Sequence, residues 1–310
     1  MRFNAHAKIP ALCGDFFATF VMFLPCLLAA QENDLPSYVL KLPASVETVL
    51  IAETGTATLH RYRYGEDGLE QGDQKRMSVG QNGVGKQRAG DRRTPLGIYF
   101  VLEHLDTTKL HEKYGPIAFP LDYPNVWDDA NDRTGDGIWI HGVTPNSELR
   151  PTLDTDGCIV LPNEHLLILE DYLTPLETPV IVTRKIETAS REEIALSRAE
   201  LMFVLKLWSD SYRLGDWHQY LALYAQEFEY RGMNREEWSA YRVRSVGGRT
   251  IEGFSVDDIL LLTDPEEPGL YLSRFTQTIT EDGRTMLTTK RLYWRRTEQG
   301  NLLIVAEDNG

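Results

Sequence analysis

The chain has 310 residues, too many for one small core and comfortable for two domains. It is 42% hydrophobic and 25% charged, the ordinary balance of a soluble globular protein. A net charge of −14 argues against a nucleic acid or an anionic membrane surface as the main partner, and it suits, weakly, a substrate with free amines.

Residues 1–30 read as a secretory signal peptide. Arg2 and Lys8 form a basic start, Phe16 to Leu28 is apolar, and Leu28-Ala29-Ala30 ends the stretch with small residues. The stretch carries Pro25 and is shorter than the roughly 20 residues that span a bilayer. A retained anchor is the alternative. Pro25 also stands where a lipoprotein site at Cys26 wants a small residue. Cleavage would remove Cys13 and Cys26 and leave Cys158 as the one thiol of an exported, periplasmic protein. Exported domains normally pair their cysteines. An odd thiol is therefore a buried apolar residue, half of an intermolecular disulfide, or a reactive group.

A β-rich domain is expected over 31–184. Thr48–Ala52 and Thr56–Tyr62 read as a hairpin with its turn at Glu53-Thr54-Gly55. Arg76–Val79 is a short strand, followed by a glycine-rich loop from Gly80 to Gly90. Ile98–Leu102, Gly137–His141 and Cys158–Leu161 are apolar runs of strand length. Pro162-Asn163 opens a helix from Glu164 to about Leu173, and Pro179–Thr183 is a last strand. Residues 185–193 lack an apolar period and read as a linker.

From 194 to 310 the pattern changes to an α+β plan. Leu201, Val204, Leu205, Trp208 and Tyr212 recur at helical spacing up to Gly215-Asp216. Helices are expected from Trp217 and after Asn234, the latter capped by the asparagine. Four strands follow, with a hairpin turn at Glu281-Asp282-Gly283. Trp208, Trp217, Tyr220, Tyr224, Phe228 and Tyr230 are more simply the lining of a core than a ligand cavity.

The chemistry centres on Cys158. A thiolate is the nucleophile, and a free thiol is mostly protonated at neutral pH. His141, at the end of an apolar strand, is the candidate general base. Its second nitrogen needs a partner to fix the tautomer. No adjacent carboxylate serves, so the carbonyl of Gly142 is the candidate. Gly157 lets backbone approach a substrate, and the amides of Gly157 and Cys158 are the expected oxyanion site. Together these groups specify acyl transfer through a thioester.

The blocks His141-Gly142 and Thr155-Asp156-Gly157-Cys158-Ile159, with Thr94-Pro95-Leu96-Gly97 upstream, resemble the L,D-transpeptidase (YkuD) catalytic domain over roughly 45–184. The resemblance implies a β-rich fold of mixed sheets with a few helices. It implies a cysteine nucleophile that attacks peptidoglycan stem peptides, with no cofactor and no metal. An amine acceptor makes a cross-link; water makes the enzyme an L,D-carboxypeptidase. The C-terminal plan resembles the NTF2-like cone fold, an arrangement similar to the cell-shape-determining carboxypeptidases of helical bacteria. Two positions depart from the family pattern. Asp156 stands in place of histidine, and Val160 in place of arginine. An ionised Asp156 disfavours a thiolate and favours a protonated His141 or a cationic amine in the substrate. The departures leave open a domain that only binds peptidoglycan.

Arg92 and Arg93, with Lys86 and Arg88, are candidates for binding stem-peptide carboxylates, or form a solvated loop. Asp122, Asp128, Asp129, Asp132 and Asp136 read as a solvated acidic loop or a rim facing substrate amines. No closing glutamate supports a calcium loop. His60, His104 and His111 lack metal-ligand spacing.

Overall fold

The computed structural model describes residues 34–65, 68–147, 151–246 and 251–310. The expected signal peptide, 1–30, lies outside them. No helix among the described residues is long and apolar enough to cross a membrane.

The N-terminal half is built on a five-stranded sheet. Its order is Gly68–Arg76, Thr58–Gly65, Thr48–Glu53, Pro179–Thr183 and Gly97–Phe100. The predicted hairpin is present, with Glu53 opposite Thr58. Thr48–Glu53 also pairs in parallel with Pro179–Thr183. The sequence pattern misses the edge strand Gly68–Arg76. It reads Gly-Leu-Glu-Gln-Gly-Asp-Gln-Lys-Arg, and Leu69 is its one buried apolar residue. An edge strand needs little burial and tolerates charge. The strand expected over 76–79 is divided: Arg76 ends this edge strand, and Val79–Gly80 pairs with Leu153–Thr155.

A second sheet runs in the order Ile159–Val160, Trp139–His141, Ile117–Pro120 and Leu105–Asp106. Helix α1 (Val126–Ala130) and helix α2 (Asn163–Glu170) belong to this half.

The C-terminal half is a five-stranded sheet. Its strands are Val39–Lys41, Ile251–Thr263, Leu270–Glu281, Arg284–Arg296 and Leu302–Asp308. Val39–Lys41 comes from the segment read as part of the first domain. Helices α3 (Arg191–Leu214), α4 (Trp217–Ala222) and α5 (Arg235–Val246) precede the long strands. The stretch read as a linker is ordered: Thr188–Ala189 pairs with Leu35–Pro36, and Ser190 caps α3 in a capping box with Glu193. Gly215, at φ 69°, ends α3 in the left-handed conformation that favours glycine. Trp208, Tyr220, Tyr224 and Phe228 are core, as expected.

Strand alternation explains how the halves join. Successive side chains point to opposite faces. Leu50 and Ala52 face a core inside the N-terminal half, with Tyr99, Val180 and Val182. Val49 and Ile51 face the other way, with Ile98, Phe100 and Ile181. That second face packs against Leu260, Leu262, Leu272 and Tyr293 of the C-terminal sheet. A sheet buried on both faces needs continuous apolar runs, which is what Val49–Ala52 and Val180–Val182 are. Arg291 adds a polar tie, pairing with Asp308 at 2.6 Å and with Asp122 across the junction. Asp34 to Gly310 therefore form part of one compact unit.

Ile51 is fully buried in the shared layer. Ile51→Ala is expected to destabilise the protein by about 2–5 kcal/mol. Calorimetry should show a single transition that shifts as a whole. Two resolved transitions, only one of them displaced, would mean that the layer does not couple the halves.

Candidate active site

Two short parallel strands set the site. Ile140 lies opposite Ile159 and His141 opposite Val160. Cys158 immediately precedes the second strand, so the parallel register sets it level with Trp139, and His141, two residues on, points to the same face as Trp139. Cys158 and His141 both line one cavity of about 480 Å³, with Lys86, Lys113, Asp136 and Asp156 around it.

His141 is buried, and its Nδ1 lies 2.7 Å from the carbonyl oxygen of Gly142. A carbonyl only accepts, so Nδ1 carries the proton and Nε2 keeps its lone pair. The orienting carbonyl is itself held. The Gly142 amide donates to the Tyr114 carbonyl at 3.0 Å. Asn163, the first residue of α2, brackets the next residue: its Oδ1 accepts from the Val143 amide at 2.9 Å and its Nδ2 donates to the Val143 carbonyl at 3.0 Å. Only glycine fits at 142, because a Cβ there would sit 2.1 Å from Asn163 Oδ1. The Tyr114 ring meets the imidazole edge-on at 5.1 Å. The sequence marks Asn163 only as the start of a helix. Its clamping role has no local signal, since its partner lies twenty residues away.

Cys158 is a half-buried free thiol, and its Sγ donates to the Gly137 carbonyl at 3.4 Å. Burial pushes its pKa up, and the charge of Asp156 adds to the rise. A hydrogen bond with the Trp139 backbone, Lys113 and Lys86 oppose the rise without cancelling it.

The expected oxyanion role of Gly157 needs correction. Its amide donates to Thr155 Oγ1 at 3.1 Å. That leaves the amide of Cys158 as the candidate donor from this pair. What Gly157 supplies is conformation and space. Its φ is +125°, and a Cβ would sit 2.7 Å from the Arg93 carbonyl oxygen. Thr94 locks the loop from below: Oγ1 donates to the Gly157 carbonyl at 2.9 Å and accepts from the Gly80 amide at 2.9 Å. The Thr94-Pro95-Leu96-Gly97 segment is thus more than a turn before a strand. Thr155 Oγ1 donates to the Cys158 carbonyl at 2.7 Å.

Asp156 lines the cavity with an exposed carboxylate, 3.2 Å from Gln81 Nε2 and 3.8 Å from Arg92 Nε. Arg92 and Arg93 do not line it. Arg92 turns to Asp156, and Arg93 Nη1 donates to the Val84 carbonyl at 3.0 Å. The cations on the wall are Lys86 and Lys113. Lys86 is buried and pairs with Asp91 at 2.8 Å. Asp91 feels a burial penalty, but amide hydrogen bonds from Arg88, Gln87 and Arg93 and the Lys86 ammonium hold its carboxyl well below the usual range. The acidic stretch is not a uniformly solvated loop. Asp122 is paired with Arg291, and Asp128 is buried, capping α1 and pairing with Arg133 at 3.1 Å. The partner of Asp122 is 169 residues away, beyond the reach of local pattern. Asp136 does line the cavity.

Comparison with known proteins gives the same division. Residues 48–182 match the L,D-transpeptidase catalytic domain (YkuD) family, and residues 200–308 match the Cds6 C-terminal NTF2-like domain family. No curated protein matches the chain. Among solved structures it is similar to Bd1075 of Bdellovibrio bacteriovorus, with 22% identity and a TM-score of 0.73 over 89% of this chain and 98% of that one. It is also similar to Pgp2 of Campylobacter jejuni, described as a helical cell shape determining protein. There the identity is 24% and the TM-score 0.70, over 84% of this chain and 91% of that one. At these identities the likeness establishes the fold. The chain therefore carries an L,D-transpeptidase (YkuD) catalytic domain followed by a Cds6-type NTF2-like domain.

Proposed function

We propose that this is an exported, periplasmic enzyme that transfers acyl groups of peptidoglycan stem peptides through a thioester on Cys158. The carrying observation is the His141–Gly142 contact, which leaves Nε2 as the basic nitrogen in the cavity that also holds the thiol. In the proposed reaction His141 Nε2 takes the thiol proton. The thiolate adds to the carbonyl carbon of the third stem residue, and the Cys158 amide faces the oxyanion. The intermediate collapses, the bond to the terminal D-alanine breaks, and His141 gives its proton to the departing amine. An acceptor then attacks the thioester, losing a proton to His141 and restoring the thiol.

The acceptor decides the product. An amine gives a cross-link, the L,D-transpeptidase reading. Asp136 and Asp156 on the cavity wall support it, because both carboxylates favour a cationic group. Water gives a tripeptide, the L,D-carboxypeptidase reading. Pgp2, whose fold this chain shares, is described as a helical cell shape determining protein, a role that trimming of stem peptides would serve. Wild type and Cys158→Ala incubated with tetrapeptide muropeptides distinguish them by mass spectrometry. Dimers or tripeptides should form with wild type alone. Equal activity of the two proteins, or inertness of both under broad conditions, rejects the catalytic role.

The electrostatics set a second test. Because burial and Asp156 raise the thiol pKa, the thiolate fraction at neutral pH is below that of a free cysteine and grows as pH rises. Asp156→Asn removes a negative charge, so the pKa should fall. Asp156 is exposed and screened, so the expected gain in iodoacetamide labelling of Cys158 at pH 7 is about threefold. An unchanged or slower rate would show that Asp156 does not act on the thiol.

A further inference from the structure

The C-terminal half holds a second cavity, of about 310 Å³, that the proposed reaction does not use. One face of α5 lines it: Trp238, Tyr241, Arg242 and Ser245 recur three and four residues apart. The opposite wall comes from the long strands. Gln277 pairs with Thr288, Ile279 with Met286, and Glu281 with Arg284 at the hairpin end. Glu281 and Met286 therefore stand toward the rim, and Gln277 lies deeper, about 13 Å along the strand from Glu281.

Part of the deep wall is self-sufficient. Lys290 and Glu307 are both buried and pair at 3.1 Å, and Glu307 also accepts from the Tyr224 hydroxyl at 2.8 Å. Two neighbouring donors have no acceptor among the described residues. Gln277 is 4% exposed, and its Nε2 meets no hydrogen-bond partner there. The Nε of Arg242 is buried and equally without one among the described residues. The Arg242 guanidinium contacts the Tyr220 hydroxyl and lies 5.2 Å from the Tyr212 ring centroid. The nearby Glu307 carboxylate acts on its charge, but that carboxylate is already engaged by Lys290 and the Tyr224 hydroxyl. Buried donors in folded proteins are nearly always met by an acceptor. Water meets a donor but brings no charge to a guanidinium that shares the Glu307 carboxylate with Lys290. A carboxylate meets both needs, since its two oxygens accept from several N–H groups and carry the negative charge. The walls beside these donors, Tyr230 and Trp238, suit the carbon body of an organic acid rather than a hydrated inorganic ion.

We propose that this cavity is a carboxylate-binding site, separate from the catalytic cavity. The ligand is a small organic acid, or the acidic end of a larger molecule, whose carboxylate accepts from Gln277 Nε2 and Arg242 Nε. A peptide C-terminus and a sugar acid share that chemistry. The inference holds whether or not Cys158 is a nucleophile.

The test follows the side-chain signals of Gln277 Nε2 and Arg242 Nε in the ¹⁵N-labelled protein by NMR. Three probes are titrated: N-acetyl-D-alanine, N-acetylmuramic acid, and the uncharged N-acetyl-D-alaninamide. At least one acid should shift both signals saturably, and the amide should not. The acid that binds names the source. Gln277→Leu should weaken that acid by roughly tenfold or more and leave the Lys113 backbone signal at the catalytic cavity unchanged. If neither acid moves the two signals, or if the amide moves them as far, the site does not exist as proposed. Should Gln277→Leu fail to fold, the comparison of acid with amide in the parent protein decides alone.

Discussion

One hydrogen bond organises the chemistry proposed for this site. His141 can act as a base through Nε2 only while the Gly142 carbonyl holds Nδ1–H. That carbonyl has no freedom of its own. Tyr114 takes the Gly142 amide, Asn163 grips Val143 from both sides, and the fit against Asn163 excludes a side chain at 142. A backbone carbonyl in this role also avoids a carboxylate beside the imidazole. A carboxylate there would favour the charged ring over the neutral base. On the thiol side, Thr94 and Thr155 fix both peptide planes around Gly157, so Cys158 sits on an equally constrained loop.

These constraints rest on a three-layer core. The central strands Thr48–Glu53 and Pro179–Thr183 are covered on both faces, once by the catalytic half and once by the C-terminal sheet. The C-terminal domain is thus a structural wall of the enzyme as well as a possessor of its own cavity. Arg291 carries the same connection in polar form, bridging Asp308 of its own sheet and Asp122 of the catalytic half.

Where a signal is local, the sequence shows it. Val49–Ala52 and Val180–Val182 are strands because continuous apolar runs satisfy two buried faces. Gly215 ends α3 by backbone conformation and Ser190 starts it with a side-chain cap, both local signals, although the helix begins inside a stretch that reads as linker. The grouping of His141 and Cys158 in one cavity, and the Gly142 carbonyl beside the imidazole, are legible because residue types and order suit the proposed chemistry. What is not legible depends on distant partners. Gly68–Arg76 is a strand only because a neighbour offers an edge. Asp122 is half-buried and charge-paired only because Arg291 returns from the far end of the chain. The Gly157 amide was available on paper, and Thr155, two residues back, accepts its hydrogen bond instead. Arg92 and Arg93 have the right charge for substrate carboxylates but face Asp156 and Val84, and Lys86 and Lys113 hold the cavity wall.

The most direct measurement is the mass of the intact protein, quenched in acid within milliseconds to seconds of mixing with a tetrapeptide muropeptide. A thioester should add the mass of the donor less its terminal D-alanine, and digestion should place that mass on the peptide containing Cys158. The adduct should be lost in His141→Gln at the same pH. Release of D-alanine with no adduct at any time point, and at an undiminished rate in Cys158→Ala, would contradict a thioester mechanism at this site.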